Sequence, residues 1–251
     1  MSYPPVTITE DVETYNKVMS EMRERLHIDE PREGVHVSDL IYCLRKSWML
    51  QRLDKEPEGR FAYTGQTPDE TVLVWMVGHS HEAIFGQSLA RGVPVESDGI
   101  VGTPDFWDEA LIEMKSTRMS AKKTPEEMGH YVAQVASYCA MQGLKEGRLY
   151  VLHIMGDYGH PPNAKLRIWK LQFKPKDLKA WWEELQRRRD IVLGKKMPPP
   201  APCWDWECGY CAVRALIDCP GNETWQREQA KKKSKTQSLD QEAPNGRKAR
   251  T

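Results

Sequence analysis

The sequence predicts an α/β fold, a mixed sheet flanked by helices, and three observations predict it. Strand-length segments rich in apolar residues fall near 99–103, 111–116, 148–155 and 166–173. Helix-like segments near 69–90, 124–143 and 175–193 are interleaved with them. Finally, 251 residues with 39% hydrophobic content are enough to bury one core with appendages. No apolar run approaches the roughly 20 residues that span a bilayer, and the N-terminus lacks the apolar stretch of a signal peptide. A cytoplasmic protein is therefore expected. The 36 basic and 36 acidic residues cancel, so the chain has no global electrostatic footprint for nucleic acid. Any such contact must come from a local groove.

The elements follow in order. Residues 7–26 read as an amphipathic helix with Val12, Tyr15, Val18, Met22 and Leu26 on one stripe and Thr7-x-x-Glu10 as a capping box. A second helix is expected from Ser38, presenting Ile41, Leu44 and Trp48 on one face and carrying Cys43 in its first turns. Residues 54–69, punctuated by Pro57, Gly59, Gly65 and Pro68, read as a loop. Gly99-Ile100-Val101-Gly102-Thr103 is a glycine-punctuated strand able to turn into the next one. Thr124-Pro125-Glu126-Glu127 opens the following helix with an N-cap, Pro at the first position and Glu at the third, and Gly143 closes it. The turn at 156–162 separates the last two strands, and the helix from Pro175 stops at Gly194. Pro198-Pro199-Pro200-Ala201-Pro202 is a stiff extended spacer. From Thr224 onward eight basic and three acidic residues give a net +5 with few apolar residues, so disorder is expected. The expected organisation is an N-terminal helix and linker at 1–35, one main domain at 36–223, and a basic tail at 224–251.

One constellation points to chemistry. Asp105 follows Pro104, and Glu113 and Lys115 follow on the strand at 111–116. Alternate side chains of a strand share a face, so Glu113 and Lys115 point the same way. Carboxylate oxygens hold hard divalent ions such as Mg²⁺ or Mn²⁺, and a lysine can orient an attacking water and offset phosphate charge. Alone, an acid and a base alternating on a strand describe many solvated surfaces. The order of strand, Asp, strand with Glu and Lys, then a helix carrying Gln134 and Tyr138 one turn apart is far more specific. Arg118, just beyond this strand, is a candidate phosphate contact.

The six cysteines are the second signal, with Cys203, Cys208, Cys211 and Cys219 crowded near the C-terminus. Without a secretory signal, metal ligation by thiolates is preferred to a disulfide framework. Cys208 and Cys211 can grip one centre and Cys219 can return to it. Cys203 as the fourth ligand would make a local zinc site; Cys43 would make a long-range one. Cys139, beside Tyr138, reads as a buried inert thiol. Trp204 and Trp206 flank the cluster and are suited either to packing or to stacking on bases.

The pattern PD-x7-ExK at Pro104–Lys115 resembles that of the PD-(D/E)XK nuclease superfamily, and Gln134-x3-Tyr138 resembles its RecB-like branch. Ser38-x-Leu40-x2-Cys43-x-Arg45 is similar to the early cysteine segment of the iron–sulfur members of that branch, AddB-type subunits and CRISPR-associated exonucleases among them. The resemblance covers roughly residues 36–220. It implies a restriction-endonuclease-like core with a helical iron–sulfur subdomain, and a [4Fe–4S] cluster on Cys43, Cys208, Cys211 and Cys219. Tying residue 43 to residue 208 would close a loop of 165 residues, an entropic constraint on the order of several kcal/mol. The branch also has a G-x-x-x-[H/E] pattern on the helix before the sheet. Gly78 to Glu82 matches it, with His81 one residue earlier as the rival metal ligand. His79, His130 and His153 read as ordinary histidines.

The resemblance therefore implies a metal-dependent DNA nuclease, with Asp105, Glu113 and Glu82 or His81 holding Mg²⁺ or Mn²⁺, Lys115 orienting water, and Gln134 and Tyr138 near the scissile phosphate. Exonuclease action on single-stranded ends, in recombination, repair or the processing of CRISPR or viral DNA, is the expected activity. Two other classes compete: a non-catalytic DNA-binding subunit of a larger complex, and a zinc-binding module.

Overall fold

The computed structural model of the chain describes residues 11–26, 33–53, 69–87, 89–161, 163–201, 204–211, 213–214, 219–221, 223, 226–227 and 229–231. The expected capping box at Thr7, nearly all of the loop at 54–69, Cys203 and most of the basic tail lie outside them.

The fold is mixed α/β, as expected, but its strands form two sheets. Strands β1 (Val35–His36), β4 (Ile100–Gly102) and β3 (Val95–Ser97) make a small sheet in the order β1-β4-β3, with β1 parallel and β3 antiparallel to β4. The larger sheet has the order β2-β5-β6-β7-β8, built from Ala90–Arg91, Phe106–Trp107, Leu111–Thr117, Glu146–His153 and Lys165–Gln172. Within it β6 and β7 are parallel, pairing from Leu111 with Gly147 to Thr117 with His153, and the other neighbours are antiparallel. The strand at Ile100–Gly102 therefore does not turn into the strand that carries Glu113. The two-residue β5 takes that place, and Pro104-Asp105 forms the crossing between the sheets. Gly92 permits this crossing, because a Cβ there would stand 1.8 Å from the Pro104 carbonyl oxygen.

Helix α5 (Gly129–Gln142) is the crossover between the parallel strands β6 and β7. Thr124 and Glu127 form the expected capping box, although it opens a 3-10 turn, Pro125–Met128, that leads into the α-helix. Gly143 closes α5 in the left-handed conformation at φ 67°. The face of α5 bearing Val135, Tyr138 and Cys139 packs with Leu111, Leu149 and Leu185 in the main core. Helix α6 (Pro175–Leu193) covers the same core and ends at Gly194, as its sequence requires.

Three helices depart from expectation. Helix α1 (Val12–Arg25) is capped by Asp11, which accepts a hydrogen bond from Thr14 N at 2.9 Å. Its buried face is Met19 and Arg23, with Met22 and Leu26 packed alongside, against Val72 of α4 (Asp69–Phe85), so Val12, Tyr15 and Val18 of the expected stripe are exposed. The helix expected from Ser38 is two helices, α2 (Val37–Ile41) and α3 (Leu44–Leu53), separated by an extended Tyr42. Cys43 lies in that break. Helix α4 stops at Phe85 rather than near residue 90, since Gly86 passes close to the Phe106 ring and the chain then enters β2. Among the described residues no helix is long and apolar enough to cross a membrane.

Candidate active site and cysteine cavity

Strand β6 carries Glu113, Lys115 and Thr117 on one face. Glu113 is sealed from solvent at 0% exposure, with Lys115 Nζ against its Oε1. Apart from that lysine, neither Glu113 oxygen has a hydrogen-bond partner. Burial pushes the Glu113 carboxyl up to about 8, opposed by Lys115 and reinforced by Asp105 and Glu82. Burial disfavours charge on Lys115 too, but Glu113 and Asp105 outweigh it and hold the ammonium above the usual lysine range.

Asp105 reaches this site from the crossing between the sheets. Its Oδ2 accepts a hydrogen bond from Met114 N at 2.7 Å, which pins the carboxylate beside β6. Glu82 approaches from α4: burial and then Asp105 push its carboxyl above the normal range, and His79 Nδ1 lies 3.9 Å from its Oε2. His81, the other candidate on α4, is buried with its ring edge-to-face against Phe85 at 5.0 Å. It packs on apolar ground, and burial lowers its pKa. The electrostatic group is thus Glu82, Asp105, Glu113 and Lys115.

Gln134 and Tyr138 face this group from α5. Gln134 Nε2 donates to Tyr138 Oη at 2.9 Å, and burial followed by the Glu113 charge raises the Tyr138 pKa. Gly102 makes room for the tyrosine, since a Cβ there would meet its ring at 2.9 Å. Arg118 is exposed at the end of β6 and lines a groove with Val74, Val77 and Ser116. Cys139 is fully buried in the core, and burial pushes its thiol up to about 12, the inert state expected.

Cys43, Cys208, Cys211 and Cys219 line one cavity of about 80 Å³ together with Lys46 and Arg214. The cavity joins the two ends of the domain. Glu207, buried beside Cys208, accepts hydrogen bonds from Cys43 N at 2.8 Å and Trp204 N at 3.0 Å. Arg45 donates from Nε to the Pro198 carbonyl at 2.8 Å, and its Nη1 lies 3.7 Å from Cys219 Sγ. The four thiols surround a space rather than converge on a point. Among the described residues no three His, Cys, Asp or Glu side chains are close enough together to hold a single ion.

Glu207 was not legible as a site residue, because it acts on a partner 164 residues away; Arg45 was visible only as a letter of the cysteine segment, its bond to the Pro198 carbonyl spanning 153 residues. His130, read as an ordinary surface or core histidine, is buried within a ring cluster. Its ring lies 4.1 Å from Tyr131, 5.6 Å from Trp204 and 5.4 Å from Trp206. His153 is a core histidine, hydrogen-bonded through Nδ1 to the Met119 carbonyl.

No family model matches the chain, and no curated protein matches it. Among solved structures it is similar to the crystal structure of SSO0001, with TM-score 0.53 and 18% identity over 83% of this chain and 96% of that one. The two therefore share a fold. A phage-related exonuclease from Haemophilus somnus 129PT aligns with TM-score 0.32 and 12% identity, over 70% of this chain and 81% of that one.

Proposed function

We propose that the chain is a metal-dependent DNA nuclease of the PD-(D/E)XK, RecB-like kind, acting on single-stranded ends. The observation that carries the reading is Glu113. A carboxylate with no solvent exposure and no hydrogen bond to either oxygen beyond an adjacent lysine is costly unless it is protonated or bound to a cation. Asp105 and Glu82 stand close enough to raise its pKa, which is the charge concentration a divalent ion relieves.

Asp105 and Glu113 would hold Mg²⁺ or Mn²⁺, both oxygen donors of the hardness such ions require, with Glu82 adding negative charge from α4. The bound ion supplies Lewis acidity and a lowered water pKa. Lys115, charged at neutral pH, orients the attacking water and offsets negative charge growing on the phosphate. The water oxygen bonds to phosphorus as the phosphorus–ester oxygen bond breaks, and the leaving oxygen takes a proton. Tyr138, held by Gln134, presents a neutral hydroxyl to the same region.

In this reading Cys43, Cys208, Cys211 and Cys219, which line one cavity, would hold a structural [4Fe–4S] cluster. Lys46, Arg214 and the Arg45 guanidinium supply positive charge and donors to balance thiolates. Four cysteines lining one cavity of about 80 Å³, with no three of them close enough to hold a single ion, favour a multi-iron cluster over one tetrahedral ion.

Anaerobically purified protein incubated with Mn²⁺ should degrade end-labelled linear single strands and spare covalently closed circles of the same sequence. A net-neutral chain is poorly equipped to clamp duplex through many phosphates, whereas a groove beside Lys115 can thread one strand. Rapid linearisation of the circle would withdraw the exonuclease label. No cleavage of either substrate would favour a non-catalytic DNA-binding role.

A further inference from the structure

Between the carboxylate group and the cysteine cavity lies a connected set of aromatic rings that neither metal chemistry nor cluster ligation uses. We infer that Trp206 is the outer face of a stacking subsite for a nucleobase of the single strand whose backbone passes Lys115, an inference that rests on the nuclease reading above.

Trp206 is 45% exposed although it lines the cysteine cavity. Two rings buttress it near edge-to-face, Tyr42 at 6.0 Å and 69° and His130 at 5.4 Å and 66°. His130 in turn lies 4.1 Å from Tyr131. Tyr131 neighbours Thr117 and Lys115, which share one face of β6 and both act to lower its pKa against the effect of burial. Two ring contacts therefore connect Trp206 to the strand of the phosphate-handling lysine. Burial, and then Lys115, push the His130 pKa down to about 4, so at neutral pH this imidazole is an uncharged stacking partner.

A half-exposed indole braced by other rings has little freedom to lose when a planar ligand stacks on it. Lys46 lines the same cavity and places a cation near a phosphate flanking a stacked base, while Arg214, which also lines it, donates from Nη1 to the Cys208 carbonyl at 2.7 Å. The ligand class that combines planar π faces with regularly spaced negative charge is a single-stranded nucleic acid. Because Trp206 lies between Trp204 and Glu207, whose carboxylate accepts from both Trp204 N and Cys43 N, the same latch also fixes the platform's position.

The test uses the full chain carrying Asp105→Ala, so that bound strand is not cut. Anisotropy of a fluorescein-labelled oligothymidylate should show roughly tenfold weaker binding when Trp206→Ala is added, with Trp206→Phe close to the parent. An abasic strand of the same length should bind the parent and Trp206→Ala proteins equally. Unchanged oligothymidylate affinity, or equal loss for both strands, would overturn the subsite. A second measurement needs no substitution: ultraviolet crosslinking of a bromouracil strand to the unmodified chain should give a peptide adduct at Trp206. Adducts confined to other segments would overturn it as well. The nuclease reading fails differently, by absence of Mn²⁺-dependent cleavage in the unmodified chain with base-dependent binding at Trp206 preserved.

Discussion

Glu207 accepts a hydrogen bond from the backbone N–H of Cys43, 164 residues earlier in the chain, at 2.8 Å. The second carboxylate oxygen takes Trp204 N at 3.0 Å, so one buried side chain fastens the break between α2 and α3 to the C-terminal cysteine segment. Replacing it removes the side-chain acceptor of two backbone donors. Glu207→Ala should destabilise the protein by about 2–4 kcal/mol, and Glu207→Gln by less, in urea unfolding followed by circular dichroism. Stability equal to the parent in Glu207→Ala would show that the latch contributes nothing.

The proposed cluster sets the expected phenotype at Cys43. Cys43→Ser should lose bound iron and brown colour and gain a tendency to aggregate, as should changes at Cys208, Cys211 and Cys219. Iron and sulfide analysis of anaerobically prepared protein checks this. Full iron content in Cys43→Ser together with its loss in Cys203→Ser would establish the local four-cysteine site instead.

The raised Glu113 pKa carries a sign. In the folded, metal-free chain the carboxyl keeps its proton up to about 8, whereas its reference value is 4.5. The folded state therefore binds more protons than the unfolded state across that window. This contribution to stability is fully present below 4.5 and is lost as pH rises through 8. With EDTA, thermal stability should fall between pH 6 and pH 8.5, and Mn²⁺ should restore it most at the alkaline end, where no proton competes for the site. Glu113→Gln should flatten both trends. A Mn²⁺ effect on melting that is larger at pH 6 than at pH 8.5 would contradict the assignment.

How much of this was legible follows from distance along the chain. Glu113 and Lys115 share a face because a strand has a two-residue period, and that much is visible in six letters. Helix α5 was equally legible through its capping box and its closing Gly143. The strands β1, β2 and β5 are two residues each, too short for any periodicity; β1 and β5 pair with the longer β4 and β6, and β2 pairs with β5. Without β5 the chain seemed to offer one sheet, and Asp105 seemed to end a strand paired with β6. The break at Cys43 is invisible locally, since Glu207 supplies the partner for its N–H. Glu82 and His81 are inseparable in the sequence, and what distinguishes their surroundings is tertiary: the His81 ring packs on Phe85, and Asp105 acts on the Glu82 carboxyl.

Tyr138→Phe separates positioning from fold. The variant keeps the buried ring against Gly102 and loses the hydroxyl that accepts from Gln134. Stability should change by about 1 kcal/mol or less, while the Mn²⁺-dependent cleavage rate should drop by roughly tenfold. A large stability loss with unchanged rate per folded molecule would make the tyrosine a packing residue alone.

The central claim is that Asp105 and its neighbours hydrolyse DNA, and cleavage by Asp105→Ala tests it most directly. Asp105 lies at the polar crossing between two sheets rather than in the core, so the variant should keep the parent's circular dichroism and iron content. Time courses on end-labelled linear single strands with Mn²⁺ should show a rate at least about 100-fold below the parent. A folded, iron-replete Asp105→Ala protein that cleaves at the parent's rate with the parent's metal requirement would contradict the account.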